Sequence, residues 1–280
     1  MSIRTDLALE SVNLSDNIEG IEKDEVCKEG INVVSIKIKT QSSADKIGRA
    51  IGTYITIETD SLTNSSHSDT IHSFLRDELK KLLPKGKSFF VVGVGNPQIT
   101  PDALGPKVAE KVLATRHISS ELANSIGLNG LYSVSVLSPG VLGQTGIEIK
   151  EITECAISKI KPSAVIIIDA LAARETKRLG NTIQLCNTGI SPGSGVGNDR
   201  QEISERTIGV PCISIGVPTV VDASTLCFDL TGNEIETQNR MIVTPREIDV
   251  LIERCGDLIG HAINCAIQSN IDEETLKYCV

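Results

Sequence analysis

A chain of 280 residues with 40% apolar and 22% charged side chains has material for one large α/β domain or two smaller ones. Its formal net charge of −9 argues against a surface that binds nucleic acid by charge, and no apolar run is long enough to span a membrane. Aromatic residues make up only 2% and tryptophan is absent, so the core is built from Ile, Val, Leu and Ala. The eight cysteines show no C-x-x-C and no metal-type spacing, and several sit in apolar runs such as Val210-Pro211-Cys212-Ile213. With no secretion signal, the expected compartment is reducing and intracellular.

Taken in order, the first segment reads Met1-Ser2-Ile3-Arg4-Thr5-Asp6-Leu7-Ala8-Leu9-Glu10 and runs on as an acidic, polar stretch to about Gly30, which reads as a loose arm. Val33–Lys39 and Tyr54–Thr59 alternate apolar and polar residues as half-buried strands do. A helical pattern then leads to Leu83 and closes at Pro84-Lys85-Gly86. From Phe89 onward, apolar strands alternate with helices. The strands are Phe89–Val94, Tyr132–Leu137, Val165–Ile168, Thr182–Cys186 and Cys212–Val217; the helices lie near Lys107–His117, Gly146–Lys159 and Pro245–Gln268. That order predicts a single doubly wound, mostly parallel sheet with helices on both faces and a β-rich N-terminal addition. The addition spans about 31–60 and the α/β core about 67–268.

Four loops beyond strands stand out: Gly95–Gly105, Ser138–Gly146, Asp169–Arg174 and Asn187–Asn198. Ligands of open α/β sheets bind at the carboxyl ends of the strands, where these loops are expected to gather. Asp102 and Asp169 would then face each other across a glycine-walled cleft. Two carboxylates a few ångströms apart cannot both ionise, so such a pair can share a proton and activate water. Singly, each has an ordinary role: Asp169 as a helix N-cap, Asp102 as a first-turn acid.

Competing chemistries fit less well. Gly93-Val94-Gly95 opens like a dinucleotide fingerprint, but Gln98 stands where the third glycine belongs. Gly189-Ile190-Ser191-Pro192-Gly193 has the spacing of a nucleophile elbow, yet Pro192 removes the N–H needed for the oxyanion hole. The four histidines, His67, His72, His117 and His261, lie outside the four loops, and His261 reads as a helix-packing residue. Gly193-Ser194-Gly195 suits a phosphate cradle or the close backbone approach of an extended peptide. No cofactor and no metal are expected.

Read together, the loops resemble the germination protease family of spore-forming bacteria. The likeness runs through Gly93-Val94-Gly95-Asn96 with Thr100–Pro106, then Pro139–Gly146, Ile168–Arg174, Pro192–Asn198 and Gly216–Ala223, and includes Arg4–Glu10. The resemblance implies an atypical aspartic-type endopeptidase, similar in fold to hydrogenase-maturation endopeptidases. It would degrade small acid-soluble spore proteins in the spore core during germination, as a homotetramer without direct nucleic-acid or membrane partners. Its catalytic aspartates would be Asp102 and Asp169. Gly95, Asn96, Gly140, Gln144, Gly193, Ser194 and Gly195 are the substrate-binding candidates. The resemblance also implies a zymogen that cuts itself between Asp6 and Leu7, leaving residues 1–6 as propeptide and 7–280 as the protease domain. The segment from Ser224 to Val243 reads as reduced relative to the bacilli type. The alternative from another class is a non-catalytic or metal-sensing peptide-binding module on the same fold.

Overall fold

The computed structural model describes residues 5–13, 18–64, 68–192, 200–232 and 241–279. In chain order these form α1 (Ala8–Asn13), β1 (Ile21–Lys28), β2 (Ile31–Ile38), α2 (Gln41–Ile47), β3 (Gly52–Glu58), α3 (Ser68–Leu82), β4 (Ser88–Val94) and α4 (Leu104–Glu110). There follow α5 (Ser120–Ser125), β5 (Ser133–Gly140), α6 (Leu142–Thr145), α7 (Ile149–Ile160), β6 (Ala164–Ala173), β7 (Thr182–Cys186) and α8 (Glu205–Ile208). The chain continues through β8 (Cys212–Asp222), α9 (Ala223–Thr231), β9 (Ile242–Val243), α10 (Ile248–Ile267) and α11 (Glu273–Lys277).

The nine strands among the described residues belong to one sheet, ordered β1-β2-β3-β7-β8-β6-β4-β5, with β9 paired to the end of β8. The strands β5, β4, β6 and β8 form the parallel core. The strand β7 runs antiparallel to β8 and joins this core to the antiparallel meander β1–β3. The N-terminal addition is therefore an extension of the same sheet.

Alternation along each central strand divides the apolar side chains between two faces. Phe89, Val91, Ile166 and Ile168 pack in one core cluster with Leu75 of α3 and Leu251, Ile259 and Ile263 of α10. Phe90, Val92, Val165 and Ile167 pack in another, with Ile157 of α7 against it. Burial on both faces explains why β4 and β6 read as continuous apolar runs.

Three expectations are corrected. The arm before Gly30 carries α1 and β1; β1 is almost wholly exposed, so its sequence Ile-Glu-Lys-Asp-Glu-Val-Cys-Lys shows no apolar alternation. Asp169 does not follow a strand. It lies within β6, which continues through Ala173 because Asp169–Ala173 pair with Gly216–Val221 of β8. Finally, the fourth loop arrives from a different direction: β7 is antiparallel to β8, so Asn187 leaves it towards the amino ends of the parallel strands, and Thr188, Gly189, Ile190 and Ser191 line the cleft beside Asp169.

Candidate active site

The turn after β4 is shaped by close backbone approach. Gly95 has φ of +134°, and a Cβ there would stand 1.9 Å from the carbonyl oxygen of Asp102. A Cβ on Gly105 would likewise lie 2.1 Å from the carbonyl oxygen of Val94. Only glycine admits both contacts, which let α4 dock on the end of β4 with Asp102 in the 3-10 turn Thr100–Asp102 just ahead of it. The N–H of Asn96 donates to Oδ2 of Asp102 at 2.8 Å, holding the carboxylate against the strand end.

Register then brings Asp169 alongside. Gly93 pairs with Ile168, so Asp169 stands one residue further on, level with the start of the turn that carries Asp102. It shares the parity of Val165 and Ile167 and is only 7% exposed. Burial lifts its carboxyl well above the ordinary aspartate value of 3.8, and the charges of Asp102 and then Asp6 lift it further. Burial also raises half-buried Asp102, against the pull of the Asn96 N–H. The two acids are thus unequal: burial and neighbouring negative charge push Asp169 towards its neutral form, whereas Asp102 keeps a donor that favours the anion.

A cleft of about 660 Å³ opens beside Asp169, lined among others by Asp6, Arg49, Tyr54, Gln184 and Gly216. Asp102 is not among the lining residues, and its charge acts on Asp169 from the adjoining turn. Asp6 lies along β6: its N–H donates to the carbonyl of Ala172 at 2.9 Å, and its carboxylate accepts from the Ala172 N–H at 2.8 Å. Gln184 spans the Asp6–Leu7–Ala8 backbone, its Nε2 donating to the Asp6 carbonyl at 3.0 Å and its Oε1 accepting from the Ala8 N–H at 2.7 Å. Beyond it, Leu7 and Ala8 are fully buried and Leu9 is 2% exposed. Glu10 is held by the N–H groups of Arg174 and Glu175, both at 2.9 Å, and by the Arg178 guanidinium.

Four of the substrate-binding candidates meet at the ends of β4 and β5. Gly140 pairs with Val94, and the side-chain amide of Gln144 donates to Oδ1 of Asn96 at 2.7 Å, beside Gly95. Gly193, Ser194 and Gly195 lie outside the described residues. Gln184 escaped the sequence reading because a polar residue in a short strand carries no distinguishing pattern. Arg178 escaped it because its three carboxylate partners, Glu10, Glu58 and Glu175, come from separate elements.

Fold and site together define an α/β protein in which a buried acid inside one parallel strand lies in the field of a half-buried acid in the turn after its neighbour. A sequence profile described as germination protease matches residues 3–236. The chain belongs to that family of peptidases. It is 38% identical to the germination protease of Clostridium tetani over 99% of both chains. It is 39% identical to that of Caldanaerobacter subterraneus subsp. tengcongensis, over 99% of this chain and 98% of the relative. The germination protease of Bacillus cereus is 32% identical over 98% of this chain and 95% of its own. Among solved structures, the [NiFe] hydrogenase maturation protease HycI of Thermococcus kodakarensis aligns with 66% of this chain and 98% of its own, at 17% identity and a TM-score of 0.39. No helix among the described residues is long and apolar enough to cross a membrane.

Proposed function

We propose that this chain is an endopeptidase that initiates degradation of small acid-soluble spore proteins in the spore core during germination, with Asp102 and Asp169 activating water. The observation that carries the chemistry is the inequality of the two acids: Asp169 is buried and pushed towards its neutral form by Asp102, which itself keeps an N–H donor. Asp102, as the carboxylate, takes a proton from water as the oxygen attacks the peptide carbonyl carbon. Asp169, as the acid, gives its proton to the carbonyl oxygen. The resulting gem-diol collapses when its hydroxyl proton returns to Asp169 and the proton on Asp102 passes to the leaving nitrogen, breaking the C–N bond.

The same reading makes the chain a zymogen cut between Asp6 and Leu7. Asp6 lines the cleft with Asp169, and the Asp6 carbonyl already accepts a hydrogen bond from Gln184, which supports this bond as the internal substrate. Since Leu7–Glu10 are buried, the cut requires the segment to open locally. Gly95, Asn96, Gly140 and Gln144 would bind the substrate backbone. Association into a homotetramer is supported by the exposed apolar residues Phe228 and Leu230 on α9, Met241 just before β9 and Ile242 on β9. No direct nucleic-acid or membrane partner is part of the reading.

The test is to incubate wild type, Asp102→Asn and Asp169→Asn separately with a small acid-soluble spore protein, and to sequence the N-terminus of each. Wild type should cut the substrate internally and acquire Leu7 as its first residue; both variants should do neither. Full activity in either variant removes it from the pair.

A further inference from the structure

The helix α10 carries His261 and Cys265 four residues apart, one turn and one face. Against that face α3 sets His72, whose ring stacks on His261 with centroids 4.6 Å apart and planes inclined by 21°. Stacking this close suits neutral imidazoles, whose nitrogen lone pairs are then available in the ring planes. His72 Nε2 is buried and has no hydrogen-bond partner among the described residues, the kind of orphaned polar atom that a folded interior seldom leaves. Cys265 is 3% exposed, and its Sγ lies 3.6 Å from His261 Nε2. One ligand atom from each of the three residues falls within 4.8 Å of the others.

We propose that His72, His261 and Cys265 bind a single Zn²⁺ ion that clamps α3 to α10, a site separate from the acid pair and independent of the reading of that pair. Two imidazoles and a thiolate are the donor set preferred by this borderline-soft ion. The spacing agrees with the chemistry. With Zn–N near 2.0–2.1 Å and Zn–S near 2.3 Å, a tetrahedral ion spans an N···S edge of about 3.6 Å, the separation already present between His261 and Cys265. The third ligand requires the His72 ring to leave its stack on His261 and turn a nitrogen towards the ion, across the at most 4.8 Å that separates the three ligand atoms. A cavity of about 610 Å³ lined by His72, His261 and Glu273 offers the entry path and room for water as fourth ligand. Glu273 is occupied by an ion pair with Arg76 and stays outside the ligand set. On binding, Cys265 loses its thiol proton to solvent, and the sulfur becomes the anionic ligand.

The experiment uses the full chain, stripped with a chelator and retitrated with Zn²⁺ against a chromogenic competitor, and in parallel with Co²⁺ as a spectroscopic substitute. One tight equivalent per chain is expected, with a rise in Tm, tetrahedral Co²⁺ bands and a thiolate-to-cobalt charge-transfer band. Cys265→Ala should abolish the charge-transfer band. His261→Gln, at a half-buried position, should lower the affinity at least tenfold while circular dichroism stays native. Absence of a stoichiometric site in wild type overturns the proposal. So does a wild-type spectrum retained in either variant, or a site lost only when the exposed Cys27, Cys155 and Cys279 are replaced.

Discussion

The side-chain amide of Gln184 donates to the carbonyl oxygen of Asp6 at 3.0 Å, from the strand that runs beside the one bearing Gly216 and, through it, Asp169. A donor on the carbonyl of the bond expected to be cut becomes a stronger partner as charge develops on that oxygen. Gln184→Ala should slow appearance of the Leu7 N-terminus by about 10²-fold, the usual scale for losing one such donor. It should also destabilise the chain by about 1–3 kcal/mol, because the buried Ala8 N–H loses its acceptor. A time course of N-terminal sequencing and a thermal melt read the two effects separately. Unchanged processing in a destabilised variant would leave Gln184 a structural brace only.

Asp169 makes stability depend on pH with a sign opposite to that of a salt-bridged carboxylate. Its folded value is raised above 3.8, so between these two values the folded state holds a proton that the unfolded state has released. Stability from this group is complete below 3.8 and declines as pH climbs towards the folded value. Asp169→Asn removes that loss. The variant should be inactive yet melt higher than wild type at neutral pH, with the gain shrinking as pH falls towards 4. Denaturation across that range checks it.

Gly95→Ala tests whether the turn aims Asp102. The substitution places a methyl 1.9 Å from the Asp102 carbonyl oxygen at a φ of +134°, so the turn must move. The strained conformation alone costs about 1–3 kcal/mol. Peptidase activity should fall by more than the folded fraction accounts for. Activity per folded molecule equal to wild type would detach the turn geometry from catalysis.

Arg178 holds Glu10, Glu58 and Glu175 together while being only 4% exposed. Arg178→Ala strands a fully buried Glu10 carboxylate and should cost about 3–5 kcal/mol. Because Glu10 anchors the segment after Asp6, amides of Leu7–Leu9 should exchange faster by a wider margin than those of β4. Uniform acceleration across the chain would mean global destabilisation without selective release.

Deleting residues 1–6 should lower the Asp169 value, since one of the two neighbouring negative charges leaves with them. The alkaline limb of the pH–activity profile of the shortened chain, where Asp169 loses the proton it must donate, should therefore shift downward relative to that of an uncut Leu7→Pro variant assayed on added peptide. A shift in the other direction would contradict the role of Asp6 as a charge beside Asp169.

Much of the fold is legible along the chain. Runs such as Phe89–Val94 and Val165–Ile168 announce strands buried on both faces, because burial dictates which side chains a strand can carry. The ordered loop motifs identify the family, and Gly95 with Asp102 marks a tight turn that presents an acid. Local patterns end there. Whether Asp169 ended a strand or lay inside one depended on its pairing with β8, and the apolar run alone stopped at Ile168. The strand β1 was invisible because an exposed edge strand needs no apolar face. Gln184 meets Asp6 across 178 positions, and His72 meets His261 through the packing of two helices. Periodicity reports how one element meets solvent or core; strand order and register decide which distant side chains become neighbours. The sequence by itself determined the apolar strands of the central sheet and the turn that presents Asp102. Only the tertiary structure buried Asp169 beside it, laid Asp6 along β6, and set His72 over His261 and Cys265.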